Sequence, residues 1–278
     1  MLDRPDDVAL MSMRRLAKAA EVHPSTMVRL AKVFKFSSYN KFREPFQQHL
    51  RIRPKGFLER ARNLQARGAG GKVQELLRDV HDADVANIKE AFEANGAKKF
   101  MDCAKAITKG HRVFVVGLRS CFPVAFFFHY VYRMFRDNAV LLDGRGGTLA
   151  DDLRVFNSND VIFAVSFEPY TFETVRSVEY AKKHGGKAVV LTDSPVSPLA
   201  EIADHALIIP KDSPSFFDSV AAAMAAVEAL IAIMAAEGGS PALASIEESE
   251  SQLEVFDAYW HQSKKRRGKT AKNKSGRS

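Results

Sequence analysis

The stretch Arg112-Val113-Phe114-Val115-Val116-Gly117-Leu118-Arg119-Ser120, with Pro123-Val124-Ala125-Phe126-Phe127-Phe128 close behind it, decides the fold of this chain. A short β-branched run is stopped by glycine and followed by an apolar helix, which is one strand–turn–helix unit. The same unit recurs downstream. Val140-Leu141-Leu142, Val161-Ile162-Phe163-Ala164-Val165, Ala188-Val189-Val190-Leu191 and Ala206-Leu207-Ile208-Ile209 read as four further strands with helical segments between them. A long Ala-rich helix is expected from Phe216 to Glu237. Strands that are apolar at nearly every position, alternating with helices, predict a parallel sheet covered on both faces. All strand C-termini then share one edge, which is where ligands bind in such sheets.

That edge carries the chemistry. The first strand ends in Gly117-Leu118-Arg119-Ser120, the third in Ser166-Phe167-Glu168-Pro169-Tyr170-Thr171, and the fourth in Thr192-Asp193-Ser194-Pro195. Hydroxyls beside helix N-termini suit an anion, because backbone N–H groups and the helix dipole favour negative charge there. Any one of them serves equally well as a helix cap. Hydroxyls on three strand ends together point to a ligand, with Arg119, Ser120, Ser166, Glu168 and Thr171 as the candidate contacts.

These residues resemble the SIS, or sugar isomerase, domain over about residues 95–240. Gly117-x-x-Ser120 is similar to its first phosphate loop. Ser166 and Thr171 match the outer members of its second, Ser-x-Ser-Gly-x-Thr. The run Thr192-Asp193-Ser194-Pro195-Val196-Ser197-Pro198-Leu199-Ala200, then Ala203-Asp204, is similar to the segment that follows. The resemblance implies a flavodoxin-like five-stranded sheet, dimerisation and a phosphorylated sugar as ligand. Glu168 and Pro169 depart from the motif, replacing its second Ser and its Gly. A carboxylate in a phosphate cradle repels a dianion unless it is protonated or paired; Arg119, or Arg145 in Gly144-Arg145-Gly146-Gly147, is the expected partner.

Charge is divided along the chain. Of 278 residues, 41 are Lys or Arg and 33 Asp or Glu, for a net +8. Residues 1–72 alone carry 16 basic and 6 acidic side chains, and residues 264–278 carry 8 basic and no acidic ones, so the body between them is acidic. A basic end on an acidic body fits one domain that meets a polyanion and another that does not. The tail from Lys264 reads as disordered.

Within the basic end, residues 12–35 read as two short helices. Ser12 is an N-cap; Met13, Leu16, Ala17 and Ala20 form a buried stripe; Glu21-Val22-His23 breaks the helix; Pro24 opens the second one. Met27, Val28, Leu30, Ala31, Val33 and Phe34 are expected inside, with Ser25, Thr26, Arg29, Lys32 and Lys35 outside. Hydroxyls and cations on such a face reach phosphates and base edges. His23 reads as a turn residue, since no second ligand stands near it.

Val8 to Ala17, Val22 to Leu30 and Phe36 to Arg43 resemble the helix-turn-helix of the RpiR-type transcriptional regulators, including an aromatic at Tyr39, which joins the candidate DNA contacts. Glu21 departs by standing where glycine is usual, so a non-glycine residue is expected at positive φ. The resemblance also implies further helical residues ahead of Met1.

The expected organisation is a helix-turn-helix domain at 1–54, a helical linker at 55–94, a SIS domain at 95–240, a C-terminal helix at 241–263 and a basic tail at 264–278. Val73, Leu76, Leu77, Val80, Val85, Ile88 and Phe92 form the expected buried stripe of the linker. Hydrophobic residues at 46% and charged ones at 27% are enough for a real core. No run of 18 uncharged apolar residues occurs, which argues against a transmembrane span. An acidic N-terminus is no signal peptide. Two cysteines, Cys103 and Cys121, make neither a disulfide framework nor a metal motif. A cytoplasmic protein without cofactor or metal is therefore expected.

The function that accounts for most of the chain is a sugar-responsive transcriptional regulator, a homodimer or homotetramer that binds operator DNA and senses a sugar phosphate or related carbohydrate derivative, with no membrane partner. The alternative is an aldose–ketose isomerase with Glu168 as base. Glu173 is a second possible base, and His129, His184 and His205 are possible acids. None of these forms a recognisable spaced pair: His184 falls at a helix end and His129 on an apolar helix.

Overall fold

The computed structural model describes residue 8 and residues 11–52, 56–68 and 72–260. The expected boundary at 54/55, residues 69–71, residues 261–263 and the basic tail lie outside the described residues.

Five parallel strands form one sheet: β1 (Val113–Val116), β2 (Ala139–Leu142), β3 (Val161–Val165), β4 (Lys187–Thr192) and β5 (His205–Ile208). Their order is β2-β1-β3-β4-β5. Val113 stands opposite Ala139 on one side and Val161 on the other, and Val189 opposite His205. The flavodoxin-like sheet expected from the sequence is present, each strand within about one residue of its apolar run.

Side chains alternate between the two faces with the strand period of two. Val113, Val115, Phe163, Val165, Val189 and Leu191 pack toward α5 (Val73–Thr108), α6 (Phe122–Tyr132) and α9 (Ala221–Glu237). Phe114, Val116, Ile162, Ala164, Ala188 and Val190 pack with residues of α7 (Leu149–Leu153) and α8 (Phe172–Lys183). Phe163 is fully buried and stacks on Phe128 of α6 with ring centroids 4.2 Å apart, worth about 0.5–1.5 kcal/mol beyond area burial. Cys103 sits in the same layer as packing. Among the described residues, no single helix is long and apolar enough to cross a membrane.

Three helical expectations change. The Ala-rich helix starts at Ala221 rather than Phe216, because residues 209–220 form a polar loop held by other elements. The C-terminal helix α10 runs Gly239–Val255. The linker stripe is largely outside: Val73, Leu77, Val85 and Phe92 are exposed. Periodicity marks an apolar face there, but among the described residues no element covers it.

Helix α5 bends at Gly96, which has φ +63° and ψ 166°, a conformation that costs glycine little and other residues much. Just before the bend, buried Asn95 acts as a substitute strand. Its amide donates to the Ile208 carbonyl at 2.7 Å and its oxygen accepts the Ile208 N–H at 3.0 Å. The outer edge of β5 is thereby closed at its end.

At the N-terminal end, α1 (Met13–Ala19), α2 (Pro24–Val33) and α3 (Tyr39–Ile52) gather around Leu16, Ala17, Met27, Ala31, Tyr39 and Phe42. Ser12 caps α1, its Oγ accepting the Arg15 N–H at 3.4 Å. His23 caps α2, its Nδ1 accepting the Ser25 N–H at 3.3 Å. Glu21 takes φ +53° in the turn, as its place in the motif requires. Val28, Val33 and Phe34, expected inside, are exposed; α2 is ten residues long and has room for only one buried stripe of Met27, Leu30 and Ala31.

Replacing Asn95 by Leu keeps the volume and removes both bonds to Ile208. We expect unfolding free energy to fall by about 2–4 kcal/mol, since a buried N–H and C=O lose their partners. Urea denaturation of the purified variant measures this; a loss below about 0.5 kcal/mol would show that the edge needs no such closure.

Candidate functional site

Sheet order fixes where a ligand site belongs. The chain leaves β1 toward β2, then crosses back over β1 to enter β3, so the crevice between the β1 and β3 loops is the topological switch point. Gly117 ends β1 there. A Cβ on it would stand 2.8 Å from the Ala125 Cβ and 2.9 Å from the Cys121 carbonyl, so only glycine lets α6 begin this close to the strand. Arg119 follows with φ +56° and Ser120 next to it, both exposed.

Across the crevice, Ser166 is buried and its Oγ accepts the Thr171 N–H at 3.2 Å. Thr171 is the N-cap of α8, with no hydrogen bond from its own side chain into the helix. The first N–H groups of α8 therefore face the edge without intrahelical acceptors. Glu168 and Pro169 form the exposed tip of this loop. Arg119, Ser120, Ser166, Glu168 and Thr171 thus lie in the two loops that flank the switch point.

A further cation, not among those expected, meets the β3 loop. Arg145 pairs with its neighbour Asp143 at 3.2 Å, on the loop after β2; the tight turn brings these two together first. Lys211, just past β5, reaches the β3 loop instead, where its Nζ donates to the Glu168 carbonyl. The same Nζ lies 3.1 Å from Asp193 and 2.9 Å from Asp218. Asp193 also accepts the Glu168 N–H at 3.2 Å and the Tyr170 hydroxyl at 2.9 Å. Burial alone would lower the Lys211 pKa, but Asp193 and Asp218 outweigh it and hold the amine above its usual value. Burial, with the Asp193 carboxylate beside it, raises the Tyr170 phenol well above the ordinary tyrosine value.

Lys211, Asp193 and Tyr170 were not singled out as site residues in the sequence. Lys211 follows Pro210 at the end of the fifth strand, a strand-end position whose polar residue was a usable signal. Its partners, 18 residues before it and 7 after, have no spacing that a sequence pattern reveals.

The possible general acids lie elsewhere. His184 ends α8, its ring stacked on Tyr180 at 4.0 Å and its Nδ1 2.8 Å from the Tyr180 carbonyl. His205 opens β5 at the opposite edge, and His129 is half-buried on α6, with burial lowering its pKa. Glu173 is exposed in the first turn of α8. A cavity of about 600 Å³ opens at the strand N-termini, lined by Asp102, Lys105, Lys109, His111, Asp160 and Lys187 among others. Asp160 there is committed to structure: Arg112 holds it at 2.7 Å and the Asn157 N–H at 2.8 Å. Among the described residues, no group of His, Cys, Asp and Glu is arranged to hold a metal ion.

On the helix-turn-helix, Ser25, Thr26, Arg29 and Lys32 are exposed on α2. The Ser25 hydroxyl is already 2.8 Å from His23 Nδ1. Lys35 is exposed too, but in the turn after the helix, with φ +60°. Tyr39, expected among the DNA contacts, is instead 5% exposed and packs against Phe42, so it belongs to the core of this domain rather than to an exposed surface. The aromatic fits the motif because the small core needs it.

Residues 106–233 match the family model of the SIS domain. An HTH-type transcriptional regulator of Haemophilus influenzae is 24% identical over 214 residues, covering 75% of this chain and 71% of that protein. One of Clostridium perfringens is 21% identical over 202 residues, covering 73% and 71%. Among solved structures, the sugar isomerase domain of an RpiR transcription factor from Sphaerobacter thermophilus superposes with TM-score 0.61 at 28% identity, over 64% of this chain and 99% of that one. The Vibrio vulnificus NanR protein complexed with ManNAc-6P superposes with TM-score 0.59 at 17% identity, over 92% of this chain and 90% of that one.

Tyr170→Phe removes the hydroxyl that ties the β3 loop to Asp193. The expected cost is about 1–2 kcal/mol, the range for a hydrogen bond to a charged acceptor that water partly replaces. Urea denaturation gives the loss, and an unchanged midpoint would show that Asp193 holds the loop through Lys211 and the Glu168 N–H alone.

Proposed function

We infer that this chain, an RpiR-type helix-turn-helix protein with a SIS domain, is a sugar-responsive transcriptional regulator. One observation carries the reading. The fold shared with NanR extends over 92% of the chain, so a three-helix reader and a parallel-sheet sensor occur together here in the same order. The names of the HTH-type relatives support the transcriptional-regulator part of this reading.

In this reading the exposed face of α2 meets the operator. Thr26, Arg29 and Lys32 supply a hydroxyl and two cations, with Ser25 at the helix start and Lys35 in the turn beyond. Two such readers in a homodimer or homotetramer would address half-sites in successive major grooves. Sensing belongs to the strand-end edge. Arg119, Ser120, Ser166, Thr171 and the α8 N-terminus provide hydroxyls, a cation and N–H groups for a phosphorylated sugar. ManNAc-6P, the ligand in the NanR structure, places phosphorylated amino sugars first among effectors to try.

Regulation rather than isomerisation is favoured by the loops themselves. No histidine occurs in residues 117–121, 143–148, 166–171, 193–204 or 209–220, which follow the five strands. An isomerase built on Glu168 would find no histidine acid in these loops.

A thermal-shift panel of sugar phosphates, amino-sugar phosphates and neutral sugars tests the sensor. A native-state ligand raises the melting temperature with its occupancy, and no compound in the panel should be turned over when followed by NMR. Glu168→Ser is expected to tighten sugar-phosphate binding by about threefold to tenfold, as loss of one nearby like charge does in a solvated site. Weaker binding would make Glu168 a direct ligand contact. Arg29→Ala should cost about 1–3 kcal/mol of operator affinity if Arg29 reads a base. Gel-shift titration against a selected operator measures it, and unchanged affinity and base preference would remove Arg29 from the interface.

A further inference from the structure

We propose that Arg60, on the helix that follows the DNA-reading domain in the chain, is a positioning residue of the sensor site: through Asp218 it sets how much of Lys211 is available to an anionic ligand. The proposal rests on reading the strand-end edge as the sugar-phosphate site.

Arg60 lies in α4 (Gly56–Gly68). More than 150 residues separate it from its partners, so only the tertiary fold makes the contact. Its guanidinium pairs with the Asp218 carboxylate and donates to the Ser215 carbonyl at 3.0 Å and 3.2 Å. One turn away, Phe57 stacks on Phe217 with centroids 4.9 Å apart and planes 11° apart. An aromatic stack and an arginine fork therefore seat α4 on the loop between β5 and α9. The same loop is held from α5, where Asp84 accepts the Ser219 hydroxyl at 2.6 Å and Asn87 donates to the Asp212 carbonyl at 2.7 Å.

Asp218 is shared. One oxygen takes Arg60 and the other takes Lys211 at 2.9 Å. Arg60 and Lys211 are 14% and 19% exposed, so this is a mostly enclosed row of alternating charges: Arg60, Asp218, Lys211, Asp193. Lys211 ends on the carbonyl of Glu168, inside a loop that flanks the ligand crevice. Asp218 has a fixed supply of negative charge to divide. With Arg60 in place, part of its field is cancelled and Lys211 is held loosely enough to answer an incoming phosphate. Without Arg60, Asp218 turns its full charge on Lys211 and on the ligand.

This arrangement has a diagnostic sign. Arg60→Gln and Asp218→Asn break the same ion pair, and a purely structural seat for α4 would be weakened by both in the same way. If Arg60 positions Lys211 through charge, the two variants move sugar-phosphate affinity in opposite directions. Linkage then requires that a ligand engaging Lys211 change the hold on α4 by the same factor. Because α4 follows the reader domain in the chain, this supplies a physical route from effector to operator.

The experiment is calorimetric titration of the full chain with N-acetylmannosamine 6-phosphate, arabinose 5-phosphate and inorganic phosphate. Arg60→Gln should weaken sugar-phosphate binding and Asp218→Asn should strengthen it, each by about threefold to tenfold, the coupling expected of groups in one charge network. Arg60→Lys, which keeps the charge, should restore most of the affinity. In a Lys211→Met background, Arg60→Gln should have little further effect. Binding in the wild type with both variants shifted the same way, or with additive effects of Arg60→Gln and Lys211→Met, overturns the proposal and leaves the sensor reading standing. Failure of the folded wild type to bind either sugar phosphate overturns both.

Discussion

Strands that run in one direction cannot be joined by tight turns, and this constraint governs the molecule. Each connection must return the chain to the same edge, so helices are laid over both faces and the strands lose contact with water on either side. Val113 and Val115 then face one helical layer while Phe114 and Val116 face the other. The same geometry collects every strand C-terminus on one edge. The Tyr170 hydroxyl after β3, the Asp193 carboxylate after β4 and the Lys211 amine after β5 become neighbours although they are far apart in the chain.

A parallel sheet also leaves its outer strands incomplete, and β5 shows how that is answered. Asn95 presents an amide to Ile208 in the way a sixth strand would, and the glycine next to it lets α5 turn away immediately afterwards. The earlier part of α5 continues alongside the β5–α9 loop and pins it through Asp84 and Asn87. One helix therefore closes the sheet and steadies the β5–α9 loop.

Charge at that edge is organised as a row rather than as a set of independent pairs. Burial opposes the charge on Asp218 and on Lys211, but their partners outweigh it, with Asp218 held below and Lys211 above its usual value. Such a row is sensitive at both ends, since altering one member changes the field at the next. It runs from the strand-end loops to α4, the helix that follows the three N-terminal helices in the chain.

Amino-acid order by itself determined the layers, the strand runs, the two-helix reader with Glu21 at positive φ, and the clustering of Ser120, Ser166 and Thr171 at one edge. These follow from local properties: β-branched runs, helical spacing, caps, and hydroxyls next to strand ends. Tertiary structure alone decided that Tyr39 is core, that the stripe of Val73, Leu77 and Val85 stays exposed, and that Lys211 joins Glu168, Asp193, Asp218 and, through it, Arg60. Periodicity can mark a face as apolar without naming what covers it, and a charge carries no sign in the sequence of which opposite charge it will meet. Those choices depend on distances between residues far apart in the chain, and such distances exist only once the sheet has brought its strand ends together.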